Sequence, residues 1–211
     1  MDGVRLFESQ EKCEELLGVT VQCDLKWSRH IELLTNKLKA RLTGLERLKY
    51  VMTKSTKNNI VQGVFNSVLC YCIQLFGGCN SSESHQLQVQ QNRAAKCVLR
   101  LPPGSSRSFI FEKLGWMSVQ QLVAYHTLIT IFRIRHNREP EYLANFLTRD
   151  NIYGNIIVQN SRLGLYRNSF TYRGSILWNR LPKDMRKEVK IGTFKKEVKT
   201  WIKENVPRFD D

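Results

Sequence analysis

Apolar residues recur every three to four positions along most of this chain, the period of one face of an α-helix. The stretch from Leu87 to Leu101 shows it best. Leu87, Gln91, Ala94, Ala95 and Val98 fall on one side of such a helix, and Arg93, Lys96 and Arg100 on the other. Pro102-Pro103-Gly104 then stops it, because neither proline can donate into the helical ladder and glycine takes the tight turn. The pattern predicts a helix that packs through one face and carries cations on the opposite one.

The same period organises the flanking segments. Leu16 to Val21 reads as a short β-prone run. A long helix is expected from Arg29 to Met52, with Ser28 as its N-cap. Ile31, Leu38, Leu45 and Met52 repeat every seven residues, Leu34 and Leu48 fill intermediate positions, and Arg41 interrupts that second series. Lys37, Lys39, Arg47 and Lys49 lie on its other faces. Ser55 is placed to cap a second helix reaching Phe76, striped by Ile60, Val64, Val68, Tyr71 and Leu75 and ended by Gly77-Gly78. Asn80 to Ser84 reads as a polar loop.

Beyond the prolines, Phe109 to Leu114 forms a short segment. Ser118 answered by Gln121 is a capping-box pattern. It opens a helix with Leu122, Tyr125, Ile129 and Phe132 inward and Arg133, Arg135 and Arg138 near its end, where cations suit the helix dipole. Pro140 suits the first turn of a helix over Glu141 to Leu147. Asn151 to Phe170 has no helical period and reads as loop with a short hairpin. A small helix over Tyr172 to Leu181 is stopped by Pro182. Thr193 is placed to cap a last helix with Phe194, Val198, Trp201 and Ile202 on one side and Lys195, Lys196, Lys199 and Lys203 on the others. The fold class expected is mainly α: a helical bundle to about Gly104, then a second helical region with a loop-rich or short β insert.

Charge changes the picture more than composition does. Of 211 residues 42% are hydrophobic, an ordinary globular share, but the net charge is +14. The excess is blocked: nine basic residues between Lys26 and Lys57, eight between Arg93 and Arg138, and twelve between Arg162 and Lys203. Three basic blocks within apolar-patterned segments favour a polyanion such as nucleic acid over a neutral metabolite. The plainer reading, a merely solvated basic surface, stands beside it. The amino terminus is acidic and has no apolar signal-peptide core, and the most apolar run, Leu122 to Phe132, is too short to span a bilayer. The six cysteines suit reduced thiols in an intracellular protein of the nucleus or cytoplasm, with no membrane contact.

Catalytic chemistry does not emerge from the residues. Cys70, Cys72, Cys79 and His85 do not have the spacing of a zinc site, and a helical core would bury the first two as small hydrophobes. The histidines lack a serine or cysteine in any nucleophile motif, and no glycine-rich phosphate loop is present. The carboxylate pairs Glu14-Glu15 and Asp210-Asp211 lack the apolar strand-turn setting of a two-metal site. No metal, cofactor or small-molecule substrate is expected. Aromatics do accompany cations: Trp27 near Arg29, Trp116 near Lys113, Tyr166 beside Arg167, Tyr172 beside Arg173. Trp178 near Arg180 and Trp201 near Lys199 and Lys203 sit on apolar stripes and read as core, whereas Trp27 and Tyr172 are the more open candidates for stacking.

Leu17-Gly18-Val19, Leu25-Lys26-Trp27 and His30-Ile31 resemble the end of the palm and the entry to the thumb in reverse transcriptases of non-LTR (LINE-type) retrotransposons. Tyr71-Cys72-Ile73, Gly77-Gly78 and Gln90-Gln91-Asn92-Arg93-Ala94 resemble the family's following helices. Trp178-Asn179-Arg180-Leu181-Pro182 with Phe194-Lys195 resembles its carboxy-terminal ending. The resemblance implies a palm-end remnant over residues 1–24, a thumb-like bundle over 25–106 and a C-terminal helical region over 107–211. It also implies a passive mechanism, in which basic helix faces neutralise the phosphates of RNA or a template-primer RNA–DNA duplex without reading bases. Lys37, Lys39, Arg93, Lys96 and Arg100 are the first candidates for that contact, and Arg173 and Arg180 the second. The family's catalytic aspartates and endonuclease would lie upstream, so no catalytic residue is carried over and the expectation is a non-enzymatic fragment. The competing class is a structural or protein-interaction helical domain, of oligomeric state the sequence leaves open.

Overall fold

A computed structural model describes residues 13–47, 50–102, 104–137, 140–148, 150–151 and 155–207. The expectations placed on residues 1–12 and on Leu48, Lys49, Pro103, Arg138, Asp210 and Asp211 lie outside the described residues. The chain is mainly α, as expected, with one small two-stranded sheet among those residues.

The first described residues form a hairpin rather than a single β run. Strands β1 (Cys13–Leu16) and β2 (Val19–Gln22) pair antiparallel with Leu16 opposite Val19. Leu17 and Gly18 both take positive φ, 51° and 80°, the twist that a two-residue hairpin turn requires. Leucine is a poor turn signal, so the glycine alone did not mark the reversal. Helix α1 (Ser28–Arg47) lies against β2. Thr20 N–H, on the edge of β2 away from β1, donates to His30 Nδ1 at 3.2 Å. The His30 ring is itself held between Trp27 and Phe76.

Helix α1 buries Ile31, Leu34, Leu38 and Leu42. The stripe therefore steps from 38 to 42, so Arg41 falls beside it instead of interrupting it. Its guanidinium donates to the Val64 carbonyl at 2.6 Å. The helix ends before Met52, and the chain turns at Tyr50–Val51, both exposed. Nor does Ser28 cap its own helix: its hydroxyl donates to Glu83, 55 residues on.

The second long helix is broken into pieces. Helix α2 (Lys54–Val61) is capped by Thr53, not Ser55. A π-helical turn (Gln62–Asn66) follows, then α3 (Ser67–Leu69), a left-handed Cys72 and α4 (Ile73–Phe76). Val61, Phe65, Leu69, Ile73 and Phe76 are the buried stripe, one position along from the expected one except at Ile73, which is two beyond Tyr71; Val64, Tyr71 and Leu75 are exposed. Four residues of α-helix turn through about 400°, so an unbroken i, i+4 series creeps about 40° per step. The wider π-turn takes back part of that creep and holds the series on one side.

Helix α5 (Ser81–Leu99) begins earlier than expected, on a capping box in which Asn80 Oδ1 accepts from Glu83 N–H at 2.8 Å and Glu83 Oε2 from Asn80 N–H at 3.0 Å. Its inner face is as expected, with Leu87, Gln91, Ala94, Ala95 and Val98 all at most 1% exposed. Helix α6 (Arg107–Leu114), assigned from sequence to the C-terminal region, sends Ile110 and Phe111 into the first core instead.

The division between cores falls inside α7 (Val119–Asn137). Val119 belongs to the first core and Ala124, Leu128 and Phe132 to the second. The Ser118–Gln121 capping box is present in both directions, 3.3 and 3.2 Å. Contacts of α7 reach α4 and α5 on one side, and on the other α8 (Glu141–Leu147), α10 (Phe170–Asn179) and α12 (Ile191–Asn205). It is covered on several sides, so its buried positions exceed the single stripe expected. A Cβ at Gly174 of α10 would lie 2.6 Å from Ile131 Cδ1 and 3.3 Å from Thr127 Cγ2, so any larger residue would require the fully buried Ile131 side chain to move.

Between α8 and α10 the chain is largely irregular, with a bridge between Asp150 and Ile156 and a short α9 (Gly164–Arg167). Helix α11 (Lys183–Lys187) starts after Pro182. Helix α12 starts at Ile191 from Lys190 with no side-chain cap, so Thr193 lies within it rather than before it. Trp178 is 1% exposed and packs with Phe194, which stacks on Phe132 at 4.3 Å. Asn179 pairs twice with the Ile156 backbone, 2.8 and 3.0 Å, pinning the irregular segment to α10.

Two predictions follow from these contacts. Phe65→Ala should cost about 3–5 kcal/mol in urea unfolding, whereas Val64→Ala should change stability by about 0.5 kcal/mol or less; the reverse order would place the stripe where the unbroken helix put it. Burial, with Lys37 adding to it, holds His30 below its ordinary value of 6.5. The unfolded chain then takes up a proton before the folded ring does, so stability is full above pH 6.5 and falls as the pH drops below it. His126, also held low by burial, acts in the same sense. The urea midpoint should decline on acidification, and less in His30→Gln, which retains an acceptor for Thr20 without titrating; equal declines would remove His30 from the effect.

Candidate nucleic-acid interface

Helix α5 presents the cationic row because the rest of its surface is committed to four neighbours. It packs on α1, α2, α6 and α7, which leaves Arg93, Lys96 and Arg100 on the opposite side. There they line a groove of about 580 Å³ with Glu46, Tyr50 and Pro102. Arg93 is exposed and pairs with Glu46 at 3.3 Å, a solvent-screened contact worth under about 1 kcal/mol. Lys96 is half-buried.

Arg100 is tied more firmly. It takes a left-handed φ of 56° at the helix end, and Leu101 N–H reaches back to the Lys96 carbonyl at 3.1 Å. This is the closure usually made by glycine. Its guanidinium donates to the carbonyls of Tyr50 and Met52, 3.1 and 2.8 Å, and so fastens the turn after α1 to the end of α5.

The other candidates separate. Lys39 precedes Glu46 by seven residues, two helical turns, so it lies on the groove side of α1; Lys37 precedes it by nine and faces the other way, toward His30. Both are exposed. Arg173 and Arg180 are at the far end of α5, around a largely apolar cavity of about 480 Å³ between the two cores, together with Phe76, Leu87, Val123 and Ile176. Arg180 is exposed there. The seven cations thus form one groove cluster and two outlying sites, not one continuous face.

Arg173 has a structural position. It donates to the carbonyls of Gly77, Gln74 (3.3 Å) and Asn168 (3.0 Å), closing the end of α4 against α10. Burial lowers its pKa from the usual arginine value. Its partners lie up to 99 residues away, and no sequence pattern links them. Arg135, by sequence a helix-end cation, is also held by tertiary contacts. It pairs with Asp150 at 2.7 Å, donates to the Leu147 carbonyl and lies over the Trp178 ring.

Two of the thiols are shifted by burial. Burial pushes Cys70 up to about 11, and Cys79 up to about 11 by burial with Glu83 adding to it, so both remain protonated at neutral pH. Among the described residues no three His, Cys, Asp or Glu side chains gather as a metal site, and no helix is long and apolar enough to cross a membrane.

One curated relative of the chain is the "Probable RNA-directed DNA polymerase from transposon BS" of Drosophila melanogaster, 25% identical over 140 residues. The match covers 65% of this chain and 15% of the relative's own length. No protein-family model and no solved structure matches. The chain is therefore distantly similar to a transposon RNA-directed DNA polymerase. The expectation of a non-enzymatic protein is corrected by this match: the relative is by its name an enzyme, and the chain corresponds to only a part of it.

Arg173→Ala should lower stability by about 2 kcal/mol or more, since it strands carbonyls at a half-buried joint. Arg173→Lys should fail to restore it, because an ammonium cannot span the divergent acceptors. Chemical denaturation of both variants checks this; an alanine variant as stable as the parent would return Arg173 to the ligand candidates.

Proposed function

We propose that this chain is the thumb-like part of an RNA-directed DNA polymerase of a transposon, and that it holds RNA or an RNA–DNA duplex by its phosphates. The observation that carries the reading is the α5 groove. Arg93, Lys96 and Arg100 line it on a chain of net charge +14, with α5 locked in rotation by its buried inner face. A fixed row of cations along a helix matches what a phosphate backbone presents, and it asks nothing of the base sequence. Lys39 extends the row on α1. The distant similarity to a transposon RNA-directed DNA polymerase supplies the context, and nucleic acid is the partner that context implies.

The test is binding of a labelled RNA–DNA duplex by fluorescence anisotropy across low to moderate salt. Affinity should fall steeply with salt, and Arg93→Glu with Lys96→Glu should weaken it at least about tenfold and reduce the salt slope by about 2, one per lost phosphate contact. Arg100 is left intact because it holds the turn after α1. A flat salt dependence, or binding unchanged by the double reversal, would overturn the reading in favour of a protein-interaction or structural helical domain.

A further inference from the structure

A second surface lies on the other half of the chain and shares no element with the α5 groove. Phe146 on the outward side of α8 is 52% exposed, and Ile157 in the following irregular segment is 53% exposed. Together with Tyr166 of α9 and Tyr172 of α10 they line one shallow slot, edged by Gln159 and Ser175. The Tyr166 and Tyr172 rings meet edge to face, with centroids 5.4 Å apart. Phe146 and Ile157 are exposed and the two tyrosine rings are half-buried, so ring surface remains open at the slot's mouth, and such a cluster marks a binding surface more often than a lone exposed side chain does.

The slot is also held in shape. Asn179 fixes the backbone at Ile156, and Arg186 donates to Asn155 Oδ1 at 2.6 Å. Arg167 donates through Nε to the Ser161 carbonyl at 2.8 Å, which fixes the cation beside the turn that carries Tyr166. Ser169 caps α10 by accepting from Tyr172 N–H at 3.3 Å. The backbone that carries the rings is therefore fixed before a ligand arrives.

The chemistry selects the occupant. The residues lining the slot carry no charge, so it is not built for an anion in its interior. Its volume, about 60 Å³, is too small to enclose a ring system, so a flat ligand must lie across its mouth. Arg162 and Arg167 are exposed on the adjoining segment, so the ligand's flanks are anionic. A flat apolar face joined to an anionic backbone describes an unpaired nucleotide; a paired duplex offers no open base face to a ring. We infer that Phe146, Tyr166 and Tyr172 form a stacking site for the bases of single-stranded RNA or DNA, with Arg162 and Arg167 on its phosphates. This extends the reading of the chain as nucleic-acid-binding, but through different residues and a different form of the ligand.

The full chain should be titrated with three labelled probes: a short oligothymidylate, an abasic strand of the same length, and the RNA–DNA duplex. Phe146→Ala and Tyr172→Ala should each weaken oligothymidylate binding about tenfold, the loss expected for one stacked base, while leaving duplex binding within about twofold. Tyr172→Phe should bind like the parent, and the abasic strand should bind more weakly than oligothymidylate. Phe146 is exposed, so its truncation leaves the second core intact even if Tyr172→Ala loosens it. Unchanged oligothymidylate binding in Phe146→Ala, or an abasic strand bound as tightly as oligothymidylate, would overturn the stacking site. Either result with salt-dependent duplex binding retained removes the slot alone. Failure of the parent to bind any of the three probes removes the α5 groove reading as well.

Discussion

The joint between the two halves of this molecule is polar, and much of the fold depends on it. Three glutamines meet at the start of α7. Gln88 Oε1 accepts from Val119 N–H at 2.9 Å, Gln91 Nε2 donates to the Met117 carbonyl at 2.9 Å, and Gln121 Nε2 donates to the Val206 carbonyl at 3.0 Å. Gln88 also donates to Gln91 and Asn92. All three glutamines are buried, Gln91 and Gln121 to 1% exposure. A buried amide without partners costs free energy, so this set is satisfied in one relative placement of α5, α7 and the end of α12 and penalises the others. Apolar contacts between the same helices would tolerate a range of sliding and rotation. The rotation of α5 decides which residues face outward, so the joint also determines that Arg93, Lys96 and Arg100 share a groove.

The arginines are used differently from what net charge suggests. Arg41, Arg100, Arg135, Arg167 and Arg173 all donate to main-chain carbonyls, at the π-turn, at helix ends or in the irregular segment. These are the places where a helix leaves carbonyls without an internal partner, and a planar fork of donors meets two or three of them at once. Such a residue keeps its charge and still contributes to the positive field that draws in a polyanion. Its donors, though, are no longer all available for a bidentate phosphate contact. The basic blocks in the sequence therefore mix two populations, and linear proximity does not sort them: Arg173 is a clamp while Arg180, seven residues later, is exposed.

How much was legible follows the range of the interaction involved. The Ser118–Gln121 box, the start of α8 after Pro140 and the inner face of α5 rest on residues within one or two turns of each other, and the sequence displays them directly. The residues that carry the family resemblance turn out to have local structural roles: Leu17-Gly18 is the hairpin turn, His30 receives Thr20, Trp178 and Phe194 fill the second core, and Asn179 holds Ile156. The broken second helix was hidden because its stripe keeps four-residue steps from Val61 to Ile73, a drift that the π-turn partly takes back. Arg173 was hidden because its acceptors are main-chain carbonyls distant in sequence. The groove was half legible: its three α5 cations share a helix face, but Glu46 and Tyr50 join them only through tertiary packing.

The two surfaces depend on the fold in unequal ways. The groove cations sit on one helix, so their mutual spacing is set by helical geometry and survives moderate loosening of the molecule. The aromatic slot is assembled from α8, the segment after Ile156, α9 and α10, four separate pieces of chain held together by tertiary contacts. Trp178 lies beneath that assembly, with Arg135 over its ring and Phe194 against it, and Asn179 beside it holds the irregular segment. Loss of packing around Trp178 would disperse the slot's rings before it altered the row on α5. Because α7 forms a wall of both cores, a disturbance at Phe132 or Leu128 lies in the slot's own core and reaches the groove by way of the other end of α7. A surface built on one helix and a surface built across several thus differ in robustness for reasons that lie in their construction, not in the strength of any one contact.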